Sequence, residues 1–151
     1  MIRYINGDAT RPQGNGPKLL IHIVNSSGGW GRGFVLAVSA RWKEPERRYR
    51  EWHKSKEDFV LGEVQFVKVE EDIDVVNMLA QCGYATPTKP AIRYDALESC
   101  LEKVAKGARQ LGATIHMPRI GCGLARGTWS EVGKIVEEAL HDIDVCVYDP
   151  S

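Results

Sequence analysis

The feature that most constrains this chain is the unbroken apolar run Leu19-Leu20-Ile21-His22-Ile23-Val24, which passes directly into a glycine-rich segment and then a helical pattern. A strand apolar at every position has no wet face, so it predicts a sheet covered on both sides. Further short apolar runs predict strands at Ile2–Ile5, Leu61–Val69, Val75–Ala80, Thr114–Met117 and Val145–Tyr148, with Lys18–Val24 as the second of six. Helical spacing joins Phe34, Val35, Val38 and Trp42. Glu44 to Lys54 reads as a charged, exposed helix, and Leu97, Leu101, Val104 and Ala108 stripe a third. A fourth, from about Ser130 to Leu140, turns Val132, Ile135, Val136 and Leu140 inward. Strands alternating with helices predict a three-layer α/β/α sandwich.

With 151 residues the chain suits one domain. The Pro/Gly clusters at Arg11 to Pro17 and Gly83 to Pro90 are short enough to be loops. Lys+Arg and Asp+Glu are both 20, which excludes an overall field for nucleic acid but leaves room for a local positive site. No run approaches the roughly 20 apolar residues of a membrane span, and no signal peptide is visible, so a cytoplasmic location away from membranes is expected. Cys82, Cys100, Cys122 and Cys146 lie far apart without a C-x-x-C pair, so no metal site is expected and the cysteines read as reduced, small apolar residues.

Two loops carry the chemistry. Asn25-Ser26-Ser27-Gly28-Gly29-Trp30-Gly31-Arg32-Gly33-Phe34 follows a strand and opens a helix. Glycines there let backbone N–H groups approach a ligand, and a helix N-terminus favours an anion. Pro118-Arg119-Ile120-Gly121-Cys122-Gly123-Leu124-Ala125-Arg126-Gly127 repeats the arrangement after another strand. In open α/β sheets, ligands bind beyond the carboxyl ends of strands, where both loops fall. The pair predicts a clamp for a diphosphate. Arg119 reads equally as a ligand contact or a structural ion pair. Asp8, beside Gly7, caps a turn by default or accepts from the exocyclic amine of adenine. Trp30 is expected as a lid over the site rather than a core anchor, and His22 as a satisfied core histidine.

Together, Ile2-Arg3-Tyr4-Ile5-Asn6-Gly7-Asp8, His22 with the Gly28 to Gly33 loop, Met117-Pro118-Arg119-Ile120-Gly121-Cys122-Gly123-Leu124 and Val147-Tyr148 resemble the macrodomain family over nearly the whole chain. The likeness is strongest to its branch of terminal ADP-ribose protein glycohydrolases, which act on modified glutamate. The resemblance implies a single macrodomain over residues 1–151, with a mixed central sheet of about six strands. It implies Asp8 and Ala9 at adenine, with Tyr148 and Asp149 nearby. Asn25 and Gly29, Trp30, Gly31, Arg32, Gly33 and Phe34 would surround the distal ribose and diphosphate. Arg119, Ile120, Gly121, Cys122, Gly123, Leu124 and Ala125 would complete the diphosphate site.

That branch uses a lysine and an aspartate. Ala125 stands at the aspartate position, and the lysine position falls on Gln81 or Cys82. The expected activity is therefore lysine-independent, water-mediated release of ADP-ribose from acidic side chains, with Asn25 and Gln81 as catalytic residues and no cofactor. The alternatives are a non-catalytic ADP-ribose reader, a deacetylase of O-acetyl-ADP-ribose and an ADP-ribose 1″-phosphate phosphatase. Expected partners are ADP-ribose and ADP-ribosylated protein, with ADP-ribosylated nucleic acid as a further candidate.

Overall fold

The computed structural model describes residues 2–86, 88–123 and 125–150. Along the chain run β1 (Ile2–Asn6), β2 (Lys18–Asn25), α1 (Phe34–Arg41), α2 (Glu44–Ser55), β3 (Val64–Glu70), β4 (Ile73–Gln81), α3 (Tyr94–Leu111), β5 (Thr114–Met117), α4 (Trp129–Ala139) and β6 (Val145–Asp149). The strands form one six-stranded sheet in the order β1-β6-β5-β2-β4-β3. β3 is antiparallel to β4 and every other pairing is parallel, so the sheet is mixed. Among the described residues no helix is long and apolar enough to cross a membrane.

Strand alternation sorts the central run into two cores. Leu19 and Ile21 of β2 join Val76 and Met78 of β4 beneath Leu97, Leu101 and Val104 of α3 and Val132 and Val136 of α4. Leu20 and Val24 join Val75 and Leu79 on the opposite face, under Val35 and Val38 of α1 and Tyr49 of α2. The expected three layers follow. This burial also explains why β2 and β4 need no polar face.

Two expectations change. β3 begins at Val64 rather than Leu61, because a turn closed by the Glu63 N–H on the Val60 carbonyl (3.1 Å) precedes it. The second helix is not exposed throughout. Its outer side carries the Arg47–Glu44, Arg47–Glu51 and Arg50–Glu46 ion pairs, but Pro45 and Tyr49 are buried and Tyr49 has no exposed surface.

Two histidines lie inside the sheet. The His116 Nδ1 is 2.8 Å from the Tyr148 hydroxyl, and its Nε2 is 2.8 Å from Thr114 Oγ1. His22 is buried from β2. Burial pushes both imidazoles down to about 4, and the charges of Lys18 and Arg3 add to the effect at His116. The unfolded chain takes up protons near pH 6.5 that the folded one refuses until about pH 4. Their contribution is therefore intact above pH 6.5 and lost as pH falls through that window. The urea midpoint should drop across this range, and His116→Gln should flatten the slope.

Candidate functional site

A cavity of about 750 Å³ opens at the carboxyl ends of β2, β4 and β5. Its floor is His22, Ile23 and Val24, and its walls are the two glycine-rich loops and the segment carrying Tyr84 and Ala85.

The first loop is shaped by Asn25. Its Oδ1 accepts from the Ser27 N–H (2.9 Å) and hydroxyl (2.8 Å), while its Nδ2 donates to the Gly29 carbonyl (3.0 Å). Tyr49 donates its hydroxyl to the Asn25 carbonyl and accepts from the Gly28 N–H (3.1 Å). Ser26 ties the loop to the end of β4: its N–H reaches the Gln81 carbonyl (2.9 Å) and its Oγ accepts from the Gly83 N–H (3.0 Å). Gly33, at φ 86°, then starts α1 with no side-chain cap and no acidic residue in the first turn. The helix therefore presents uncapped N–H groups beside Phe34 and Val35, both on the cavity wall.

The second loop is a tight fold of backbone. Gly121 has φ +73°, and a Cβ there would lie 2.3 Å from Ile92 Cδ1. The Gly127 N–H donates to the Gly121 carbonyl (2.6 Å), and the Ala125 carbonyl accepts from the N–H groups of Ala91 (3.1 Å) and Ile92 (3.3 Å). Arg126 bridges the two sides, donating to the Thr86 carbonyl at 2.9 Å.

Of the expected contacts, Asn25, Gln81, Gly29, Gly31, Arg32, Gly33, Phe34, Arg119, Ile120, Gly121, Gly123 and Ala125 line the cavity. Leu124 lies outside the described residues. Gln81 donates Nε2 to the Gly83 carbonyl (2.9 Å), leaving Oε1 as an acceptor, whereas the exposed Cys82 is not on the wall. Cys122 is half-buried and off the wall, its thiol 3.4 Å from the Ile120 carbonyl and pushed up in pKa by burial.

Trp30 is not a lid. It is 3% exposed, packs 5.5 Å from Tyr49 and 5.4 Å from His22, and donates its indole N–H to Ser39 Oγ (2.7 Å), so it anchors the loop from below. Tyr148 is likewise a core group, its hydroxyl accepting from the Gln13 N–H (2.8 Å) and contacting His116. Ala9 is buried in the second core. Asp8 caps its own turn, accepting from the Thr10 N–H (2.9 Å) and hydroxyl (2.7 Å), which holds its carboxyl below the usual range.

Arg119 combines its two readings. It grips Asp149 with two bonds (2.6 and 3.0 Å), holding that carboxylate's pKa low, and its guanidinium sits 5.1 Å from the Tyr4 ring and 5.3 Å from the Trp129 ring. It also lines the cavity with Arg32 and Arg126, and no carboxylate or lysine joins them among the described lining residues. Asp149 balances Arg119, so Arg32 and Arg126 give the cavity its positive charge within a neutral chain.

Sequence reasoning missed Tyr49, Tyr84 and Ala85, and gave Ser26 and Arg126 no role of their own within the loops. An aromatic residue set among the charges of α2 was a legible signal for Tyr49; Tyr84 and Ala85 lie in an aperiodic loop that offered none.

No model of a protein family matches the chain. A solved protein of unknown function from Bacteroides thetaiotaomicron is 52% identical with a TM-score of 0.96, covering 99% of this chain and 98% of its own. A macrodomain protein from Streptomyces coelicolor is 46% identical with a TM-score of 0.89, covering 99% of both chains. The ADP-ribose glycohydrolase OARD1 of Homo sapiens is 40% identical over 152 residues, covering 97% of this chain and 90% of the relative. The Chromodomain-helicase-DNA-binding protein 1-like of Danio rerio is 31% identical over 92% of this chain, which spans 14% of that relative's length.

Gly121→Ala should cost about 2 kcal/mol in a denaturation experiment, from left-handed strain and the Ile92 clash.

Proposed function

The chain belongs to the macrodomain family, and on that premise we propose that it binds ADP-ribose in the cavity and releases it from modified acidic side chains. The observation that carries the reading is the wall itself: two backbone loops and the guanidinium groups of Arg32, Arg119 and Arg126, without a lining carboxylate among the described residues. A diphosphate fits such a wall, because backbone N–H groups and an uncapped helix start favour an anion. The distal ribose then lies toward Asn25 and Gln81, and the adenine toward the Arg119–Asp149 pair and Asp8.

Release follows from the leaving group. An acyl bond at the anomeric carbon breaks to a carboxylate that needs no proton, so a water held in line can attack without a lysine intermediate. Gln81 Oε1 accepts one hydrogen of that water. The water oxygen bonds to the anomeric carbon, the carbon–carboxylate bond breaks, and the water's other proton passes to a diphosphate oxygen. Asn25 acts through the loop it shapes, since its amide is engaged with Ser27 and Gly29. That same engagement favours a second reading, a reader that binds and does no chemistry.

Calorimetry should show ADP-ribose binding well below a millimolar dissociation constant, about −4 kcal/mol. Heat indistinguishable from buffer would sink the reading. A Cβ on Gly123 meets nothing within 4 Å, so Gly123→Trp should leave stability unchanged and abolish binding by filling the wall. Incubation with glutamate-modified protein should release ADP-ribose and serine-modified protein should not; release from neither leaves the reader.

A further inference from the structure

Among the described residues, one buried side-chain polar atom has no hydrogen-bond partner, and it is Nδ1 of His22. Buried polar groups are nearly always paired, because leaving one bare forfeits its hydration without return. The neighbouring network fixes what kind of atom it is. Asn77, fully buried on β4 beside His22, places one amide atom 3.2 Å from the Pro45 carbonyl, which can only accept. That atom is therefore Nδ2, whose second contact is Gln65 Oε1 (3.0 Å). Asn77 Oδ1 is left to face His22 Nε2 at 2.6 Å, so Nε2 carries the proton. Nδ1 is then a lone-pair acceptor on a neutral ring, in keeping with the imidazole pKa near 4.

His22 also forms part of the cavity floor, three residues before Asn25 on the same strand, with the Phe34 ring 6.0 Å away on the wall and Trp30 closing the other edge. We propose that His22 Nδ1 accepts a hydrogen bond from a hydroxyl of the distal ribose, making His22 a residue that separates ADP-ribose from ADP. The proposal rests on the ADP-ribose reading and deepens it. A hydroxyl can donate, whereas the oxygens of a terminal phosphate at neutral pH mainly accept and are repelled by a second acceptor. Nδ1 is screened from solvent in the free protein, so the hydroxyl reaches it as the seating ligand displaces the Phe34 ring beside it.

The test pairs nitrogen NMR of the wild-type protein with calorimetry of wild type and His22→Phe, using ADP-ribose and ADP as probes. The free protein should show His22 protonated at Nε2, and ADP-ribose, but not ADP, should move the Nδ1 resonance toward its hydrogen-bonded range. His22→Phe should weaken ADP-ribose roughly fivefold to tenfold and leave ADP unchanged. Because the substitution also strands Asn77 Oδ1, the wild-type spectrum decides if the variant does not fold. An Nδ1 resonance that ADP-ribose binding leaves unmoved overturns the proposal, including the case in which it is already hydrogen-bonded in the free protein. Equal ADP-ribose affinity of a folded His22→Phe does the same. Absence of wild-type binding removes the underlying ADP-ribose reading as well, and calorimetry separates that outcome from the others.

Discussion

The Tyr49 hydroxyl donates to the carbonyl of Asn25 and accepts from the N–H of Gly28, at the point where β2 runs out of strand partners. Those two bonds turn a buried strand into a curved loop without leaving its backbone groups unpaired. Asn25 completes the curve from within, and Trp30 pins its far end into the same core that holds Tyr49. The start of α1, and with it one wall of the cavity, is fixed by this chain of contacts. A single phenol, delivered by a helix that is otherwise charged on its surface, thus couples the second core to the shape of the site.

The fold was legible because its signals are local. Apolar runs marked six strands within a few residues of their observed ends, and periodic stripes marked α3 and α4. The loops were legible as loops through their glycines, but the roles of their side chains were not, for those depend on partners far along the chain. Trp30 looked exposed because glycines flank it; its indole goes inward because Ser39, His22 and Tyr49 make a slot for it. Tyr148 looked available beside adenine, but its hydroxyl is held by Gln13 and His116. Arg119 could be read two ways because it does both: the Asp149 pair and the Tyr4 and Trp129 rings hold a guanidinium that still reaches the wall.

Equal totals of acidic and basic residues hide a division by place. Many of the carboxylates are matched outside the cavity, as in the ladders of α2 and the Arg109–Asp142 and Lys18–Asp72 pairs, while the lining itself contributes guanidinium groups and backbone. The exposed pairs among these, those of α2 and Arg109–Asp142, add little stability. Their consequence here is electrostatic: a concave, partly desolvated wall of one sign keeps its attraction for an anion better than open surface does. Composition alone could exclude a global field but could not locate this one.

The same wall limits the chemistry that fits it. The described lining residues include no lysine or carboxylate to protonate a poor leaving group. On the ADP-ribose reading, a linkage that departs as an alkoxide, such as one to serine, would need that acid, whereas one that departs as a carboxylate would not. Selectivity between the two then requires no contact with the modified protein: it follows from what the pocket can and cannot supply to the breaking bond. Gln81, with its nitrogen tied to Gly83 and an oxygen that can only accept, is suited to orienting a water and unsuited to acting as an acid.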